Sequence, residues 1–387
     1  MTPVTADDIS RAREATADVV RHTPVLPSAT LTQRGGGEVV LKAESLQRTG
    51  SFKIRGALNK LSALGADGAA GVACGSAGNH AQALALAARE RGVRCEVFMP
   101  AEAPIAKVEG AIALGAEVIV GGSGVEHCVD AARAHAAEAG MAFVHPFDDP
   151  DVIAGQGTLG LELLEDLPAL ATVVVPVGGG GLASGVAIAV KSARPEVRVV
   201  GVQVVDRALT IADGIAVKQP GALTGPLLDE WLDERVTVGE DDIAEAMVIL
   251  MEKAKLVVEG AGAVGVAALV SGAVEPAAEG QTCVVLSGGN VDAGLLAVVA
   301  RRHETEAGRR LALFLRVPDR PGALAKLLDV VATSGANLLD VAHMREGVDL
   351  HVRETGVQLV LETRGRAHAD AVREAIADAG YVATIVR

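Results

Sequence analysis

The chain has 387 residues, with 35 basic against 49 acidic side chains for a net charge of −14, and only five Phe, one Trp and one Tyr. Half of its residues are apolar, which is ample for large cores and excludes wholesale disorder, and the length predicts two or three domains. An acidic chain with so few aromatics has neither the basic stripe nor the stacking platforms that nucleic acids require.

From the N-terminus, MTPVTADDIS lacks the charged and apolar regions of a signal peptide, and no apolar run of about 18 residues follows that could span a bilayer. A cytoplasmic protein without membrane partners is therefore expected. Short apolar runs then alternate with helical patterns, the signature of an α/β fold on a mostly parallel sheet. The strand candidates are VVLKAE (39–44), AGVAC (70–74), CEVFM (95–99), AEVIV (116–120), MAFVH (141–145), TVVVPV (172–177), VRVVGVQ (197–203) and TCVVLS (282–287). Most are apolar without alternation, as helices on both faces demand. Between them, 80–92 reads as a helix ending at a capping Gly92, and 241–256 as a helix opened by acidic residues. Cys74, Cys95, Cys128 and Cys283 form no CxxC pair, so they are expected to be small buried side chains.

The charged, non-periodic stretch 300–310 ends this alternation, and a linker is placed at 306–310. Residues 1–305 are thus set apart as one domain. From Leu311 the pattern reads strand, helix, strand, strand, helix, strand, a ferredoxin-like βαββαβ unit covering 311–387.

Of the 45 glycines, 39 lie in the first 310 residues, which directs attention to the strand-to-helix turns, where backbone must approach a ligand. Gly178, Gly179, Gly180 and Gly181 follow a strand and precede a helix, so several backbone N–H groups and a helix N-terminus converge on one anion, with phosphate the natural choice. The spacing Gly178-x-Gly180-x-x-Ala183 is also a loose dinucleotide fingerprint. That reading wants an acidic residue after the next strand, where the chain offers Gln203 flanked by Glu196 and Asp206.

In Ser51-Phe52-Lys53, Ser51 as an N-cap places Lys53 in a first helical turn, where the dipole disfavours ammonium and suits a neutral amine nucleophile. Alone, Lys53 reads as a surface cation. Combined with a phosphate turn it points to pyridoxal 5'-phosphate, which needs both. Gly75-Ser76-Ala77-Gly78-Asn79-His80 also opens a helix and suits a carboxylate; His80 either orients this turn or acts as a base, and the first is favoured because Lys53 can move the proton. Ser287, closing the strand at 282–287, reads as a strand cap, or as a partner for a pyridine nitrogen that does not force its protonation.

Together the motifs SLQRTGSFKIRGA, GSAGNHAQA, VPVGGGGLASG and LSGGN resemble the serine/threonine dehydratase branch of pyridoxal-phosphate enzymes, which have the tryptophan-synthase-β fold, over about residues 1 to 305. The resemblance implies that 1–305 is one catalytic domain of two lobes, the smaller at roughly 45–145. TIADGIAV at 210–217 looks like the threonine ammonia-lyases with a single regulatory domain. The resemblance implies that Lys53 holds the cofactor as a Schiff base with Phe52 packed nearby. It also implies that Asn79 contacts the ring hydroxyl, Gly178 to Gly181 and Leu182 the phosphate, Ser287 the ring nitrogen, and Ser76, Ala77, Gly78, Asn79 and His80 the substrate carboxylate. The implied reaction is β-elimination of L-threonine to 2-oxobutanoate and ammonia, and of L-serine to pyruvate. The alternatives are a dehydratase specific for serine or a hydroxyaspartate, a β-replacement enzyme, or a non-catalytic amino-acid sensor.

Two departures refine the resemblance. Ala77 stands where serine racemases carry a serine that acts as acid and base, and Gln203 where metal-dependent members carry a glutamate, so neither racemisation nor a metal is expected. The C-terminal unit resembles an ACT domain. That implies an amino-acid effector at Asp319, Pro321, Gly322, Ala323, Leu324 and Asn337, and a homo-dimer or homo-tetramer.

Overall fold

The computed structural model describes residues 4–205, 210–217, 219–346 and 350–386. Contacts divide the chain into two compact units, Met1–Val291 and Asp292–Arg387.

The larger unit contains two sheets. Six strands run in the order Val25–Pro27, Glu38–Ala43, Gln281–Leu286, Leu170–Pro176, Arg198–Val204 and Glu234–Val238. All pair in parallel except Val25–Pro27, whose register sets Val25 against Lys42. A second, wholly parallel sheet has the order Glu117–Val120, Cys95–Met99, Val72–Gly75 and Ala142–Phe143. The central strands are continuously apolar because helices cover both faces; Val173, Val174 and Val175 are all inaccessible. Two strands not expected from the sequence, Val25–Pro27 and Glu234–Val238, lie at the edges of the larger sheet, where exposure leaves little apolar pattern to read.

Helix Asn79–Arg91 ends at left-handed Gly92 as expected. The helix expected over 241–256 changes character within its length. Glu240–Ile249 is α-helical, Leu250–Ala254 is a π turn, and Lys255 adopts φ 59°. All four cysteines are buried and free.

Buried charge anchors the helix Lys53–Leu64. Arg55, 1% exposed, donates to Glu44 at 2.8 Å and to Glu162 at 2.7 Å. The inaccessible Lys42 pairs with Glu162 at 2.7 Å and Asp166 at 3.0 Å. Burial works against the Arg55 charge, but the two carboxylates hold its pKa above the ordinary value.

In the smaller unit the strands Arg310–Pro318, Asn337–Met344, Glu354–Glu362 and Ala383–Ile385 form an antiparallel sheet in spatial order second, third, first, fourth. Helices Ala323–Thr333 and Arg366–Asp378 complete the βαββαβ order, with Leu313, Leu327, Leu359 and Val372 at the core. The span 306–310 expected as a linker holds the turn 307–309 between helix Ala293–Glu306 and strand Arg310–Pro318. Asp292 caps that helix by accepting from the Gly294 and Leu295 N–H groups, and Arg302 pairs with Glu306 one turn on at 2.9 Å. Residues 300–306 of the charged stretch are thus the last turns of a capped helix.

Candidate active site

A cavity of about 300 Å³ opens where four strand-to-helix connections of the larger unit meet. Each connection follows the carboxyl end of a parallel strand, where this architecture leaves room for ligands.

Lys53 is the first residue of helix Lys53–Leu64. The expected cap is corrected: Phe52 is the N-cap, with no side-chain capping bond, while Ser51 is extended, bridges Gly288 and buries its hydroxyl without a partner. That bridge pulls Ser51 one residue out of the helix entry, yet Lys53 still falls in the first turn. Its Nζ donates to the Pro146 carbonyl at 2.7 Å and lies 5.2 Å from the centroid of the Phe52 ring. Lys53 lines the cavity and is half-buried. This burial lowers its pKa to about 8, against the opposing pull of the Glu259 carboxylate.

The cavity is also lined by Gly178 to Gly181 and Leu182. Helix Gly181–Ala193 begins here with Gly180 as a left-handed N-cap at φ 95°. A β-carbon at 179 would lie 2.3 Å from the Phe147 ring, so this position admits only glycine unless the ring moves. Thr224 Oγ1 donates to the Gly179 carbonyl at 2.6 Å, and Asp148 accepts from the Leu223 and Thr224 N–H groups at 2.9 and 3.0 Å. The turn is therefore braced by Thr224 while its residues, at a helix N-terminus that suits an anion, line the cavity.

Ser76, Ala77 and Gly78 connect strand Val72–Gly75 to helix Asn79–Arg91, and all three line the cavity. Ser76 Oγ accepts from the Gly78 N–H at 3.2 Å. His80 is buried with Nε2 3.1 Å from the Val144 carbonyl, and burial, reinforced by Lys53, drives its pKa down to about 3. A neutral, tethered imidazole orients the turn.

Asn79 Nδ2 donates to Glu259 Oε1 at 2.7 Å, and Asn79 Oδ1 accepts from Asn290 Nδ2 at 2.7 Å. Ser287 follows strand Gln281–Leu286; its hydroxyl has only a long contact, 3.5 Å, to the Ala261 carbonyl, and so is available to the cavity. Every cofactor and substrate residue expected in this unit therefore lines one cavity.

Sequence reasoning missed Glu259, Phe147, Gln156, Lys107 and Asp213, which also line it. Lys107 and Asp213 form an ion pair at 3.1 Å. Asp213 lay within the quoted segment 210–217, but Glu259 carried no signal beyond a carboxylate preceding a Gly-rich helix start. Gln203 lies in strand Arg198–Val204, and Asp206 lies outside the described residues.

In the smaller unit, Gly322 is the left-handed N-cap, at φ 80°, of the helix containing Ala323 and Leu324. Asp319, two residues before Pro321, accepts from both terminal nitrogens of Arg345 at 2.6 and 2.8 Å. Asn337 is not brought to this turn. It pairs in register with Glu362, which faces Arg310 at the far end of the strand, whereas the turn follows Pro318.

The profile of the family described as pyridoxal-phosphate dependent enzyme matches residues 16–288. The L-threonine ammonia-lyase of Thermotoga maritima is 43% identical over 99% of this chain and 100% of its own. A solved threonine deaminase from T.th. superposes with a TM-score of 0.70 at 40% identity, over 74% of this chain and 99% of its own. Maize serine racemase gives 0.73 at 34% identity, over 79% and 99%.

Proposed function

The chain belongs to the family of pyridoxal-phosphate dependent enzymes, and we propose that it eliminates water from L-threonine to give 2-oxobutanoate and ammonia. The observation that carries this reading is its full-length likeness to a threonine ammonia-lyase. The residues present fit the cofactor. A half-buried amine of lowered pKa, a braced turn of N–H donors and a hydroxyl free to bond a ring nitrogen share one cavity.

When bound, the cofactor supplies the electron sink that stabilises negative charge at the substrate Cα. Lys53 would hold it, Gly178 to Gly181 and Leu182 would bind its phosphate, Asn79 its ring oxygen, and Ser287 its ring nitrogen. The N–H groups at the start of helix Asn79–Arg91, with Ser76, receive the substrate carboxylate. Lys53 takes the Cα proton, since burial leaves a usable fraction of its amine uncharged near neutral pH. Water leaves from Cβ, and a water molecule returns as ammonia is released. L-serine gives pyruvate by the same balance. Ala77 has no proton to give or take, which favours elimination over racemisation.

The test is release of oxo acid by the purified full chain from a panel of β-hydroxy amino acids. Threonine is expected to lead and Lys53→Ala to abolish turnover. A wild type that turns over none of them, or only with an added nucleophile, would reject the assignment.

We further propose that the smaller unit is an ACT-type amino-acid sensor and that the enzyme is a cytoplasmic homo-dimer or homo-tetramer. The βαββαβ order supports the first. Leu338, Leu339 and Val341, exposed on an edge strand, support pairing of two copies. Initial rates with and without isoleucine, valine and other amino acids, together with sedimentation, test both. A monomer with no response to any of them would refute the proposal.

A further inference from the structure

Glu259 is 6% exposed, yet it borders the cavity. It is held there by its neighbours. It is the N-cap of helix Gly260–Val270, its N–H donates to the Gly288 carbonyl at 3.1 Å, and a β-carbon at 288 would lie 2.3 Å from its Oε1. The carboxylate can reach Asn79 only because position 288 has no side chain.

The bonds around Asn79 have a definite sense. A carboxylate only accepts, so Glu259 requires Nδ2 of Asn79, at 2.7 Å. Asn290 Nδ2 only donates; it gives one hydrogen to the Thr49 carbonyl at 2.6 Å and one to Asn79 Oδ1 at 2.7 Å. Thr49 has φ 61°, so its carbonyl is fixed by the strained loop ahead of Lys53. Turning the Asn79 amide over would set donor against donor at Asn290 and acceptor against acceptor at Glu259. One Nδ2 hydrogen remains for the cavity.

We propose that Glu259 is a positioning residue that acts through Asn79, its carboxylate locking the amide so that Asn79 presents a hydrogen-bond donor to an anionic ring oxygen of the bound cofactor. This rests on the reading of the site as a pyridoxal-phosphate centre. The groups facing Glu259 are Lys53 from helix Lys53–Leu64, Lys107 from helix Ile105–Ala113 and Asp213 from the turn Asp213–Ile215. Burial and Asp213 raise its pKa to about 7, opposed by Asn79, Lys107 and Lys53, so the lock loosens as pH falls through neutrality.

The experiment compares wild type with Glu259→Gln, Glu259→Ala, Asn79→Ala and the Glu259→Ala/Asn79→Ala double variant, in the full chain. It reads cofactor dissociation constants and the pH dependence of the visible absorption of the cofactor-loaded protein. Glu259→Ala is expected to weaken cofactor binding about tenfold, as loss of a charge-assisted bond does, and the double variant to bind no more weakly than Asn79→Ala. A pH inflection in the wild-type spectrum should vanish in Glu259→Gln, which keeps the shape without the titration. Losses that multiply in the double variant, or an inflection retained in Glu259→Gln, would overturn the proposal. Failure of threonine turnover alone would reject the substrate assignment without altering these spectral and binding outcomes.

Discussion

Replacing Arg55 by Met tests how the helix carrying the reactive lysine is held. Arg55 is shared between Glu44 and Glu162, and all three side chains are buried. Methionine keeps the apolar stem but leaves Glu44 without its cation; Lys42 still neutralises Glu162 at 2.7 Å. Removing one partner of a buried pair costs about 3–5 kcal/mol. With Lys42 in place, the lower half of that range applies. For a unit of this size about 2–4 °C is lost per kcal/mol, so the thermal midpoint of the loaded enzyme, followed by circular dichroism, should fall by roughly 6–16 °C. Adding Glu44→Gln should restore about half of the loss, since the stranded charge is then removed. A loss below about 1 kcal/mol, or no recovery in the double variant, would show that the cluster does not anchor the helix. The same cluster has a pH signature. Burial disfavours the Glu162 charge, but Arg55 and Lys42 hold its pKa below the ordinary value of 4.5. Its contribution is present above that value and is lost as pH falls through the lower folded value.

In the cofactor-free chain, an amine reagent should modify Lys53 with half-maximal rate near pH 8, well below the ordinary lysine value of 10.5; a midpoint close to that ordinary value would contradict its burial. His80→Asn should lower kcat by less than about tenfold, whereas loss of a general base would cost about 100-fold or more, and a loss of that size would return His80 to proton transfer. Gly179→Ala should strain the turn against Phe147 by about 1–3 kcal/mol and weaken cofactor binding measurably; unchanged affinity would mean the Phe147 ring yields freely.

Much of this protein was legible in one dimension because the relevant physics is local. Parallel strands buried on both faces read as apolar runs, and glycine or small-residue turns between strand and helix announce where an anion is met. Lys53, Gly178 to Gly181, the Ser76–His80 turn and Ser287 therefore emerged from letters alone. Local reading failed where context was three-dimensional. The charged stretch at 300–310 carries no helical period, yet its first residues are the end of the helix Ala293–Glu306, and a turn at 307–309 follows. Ser51 looked like a helix cap, but its pairing with Gly288, far along the chain, removes it from that task. Glu259 had no local signature at all. Its neighbours Lys53, Asn79, Lys107 and Asp213 come from distant parts of the chain, and only folding removes the water that would keep its carboxyl an ordinary acid. Sequence determined which residue types could do the chemistry; burial and long-range contact decided which of them are set to do it.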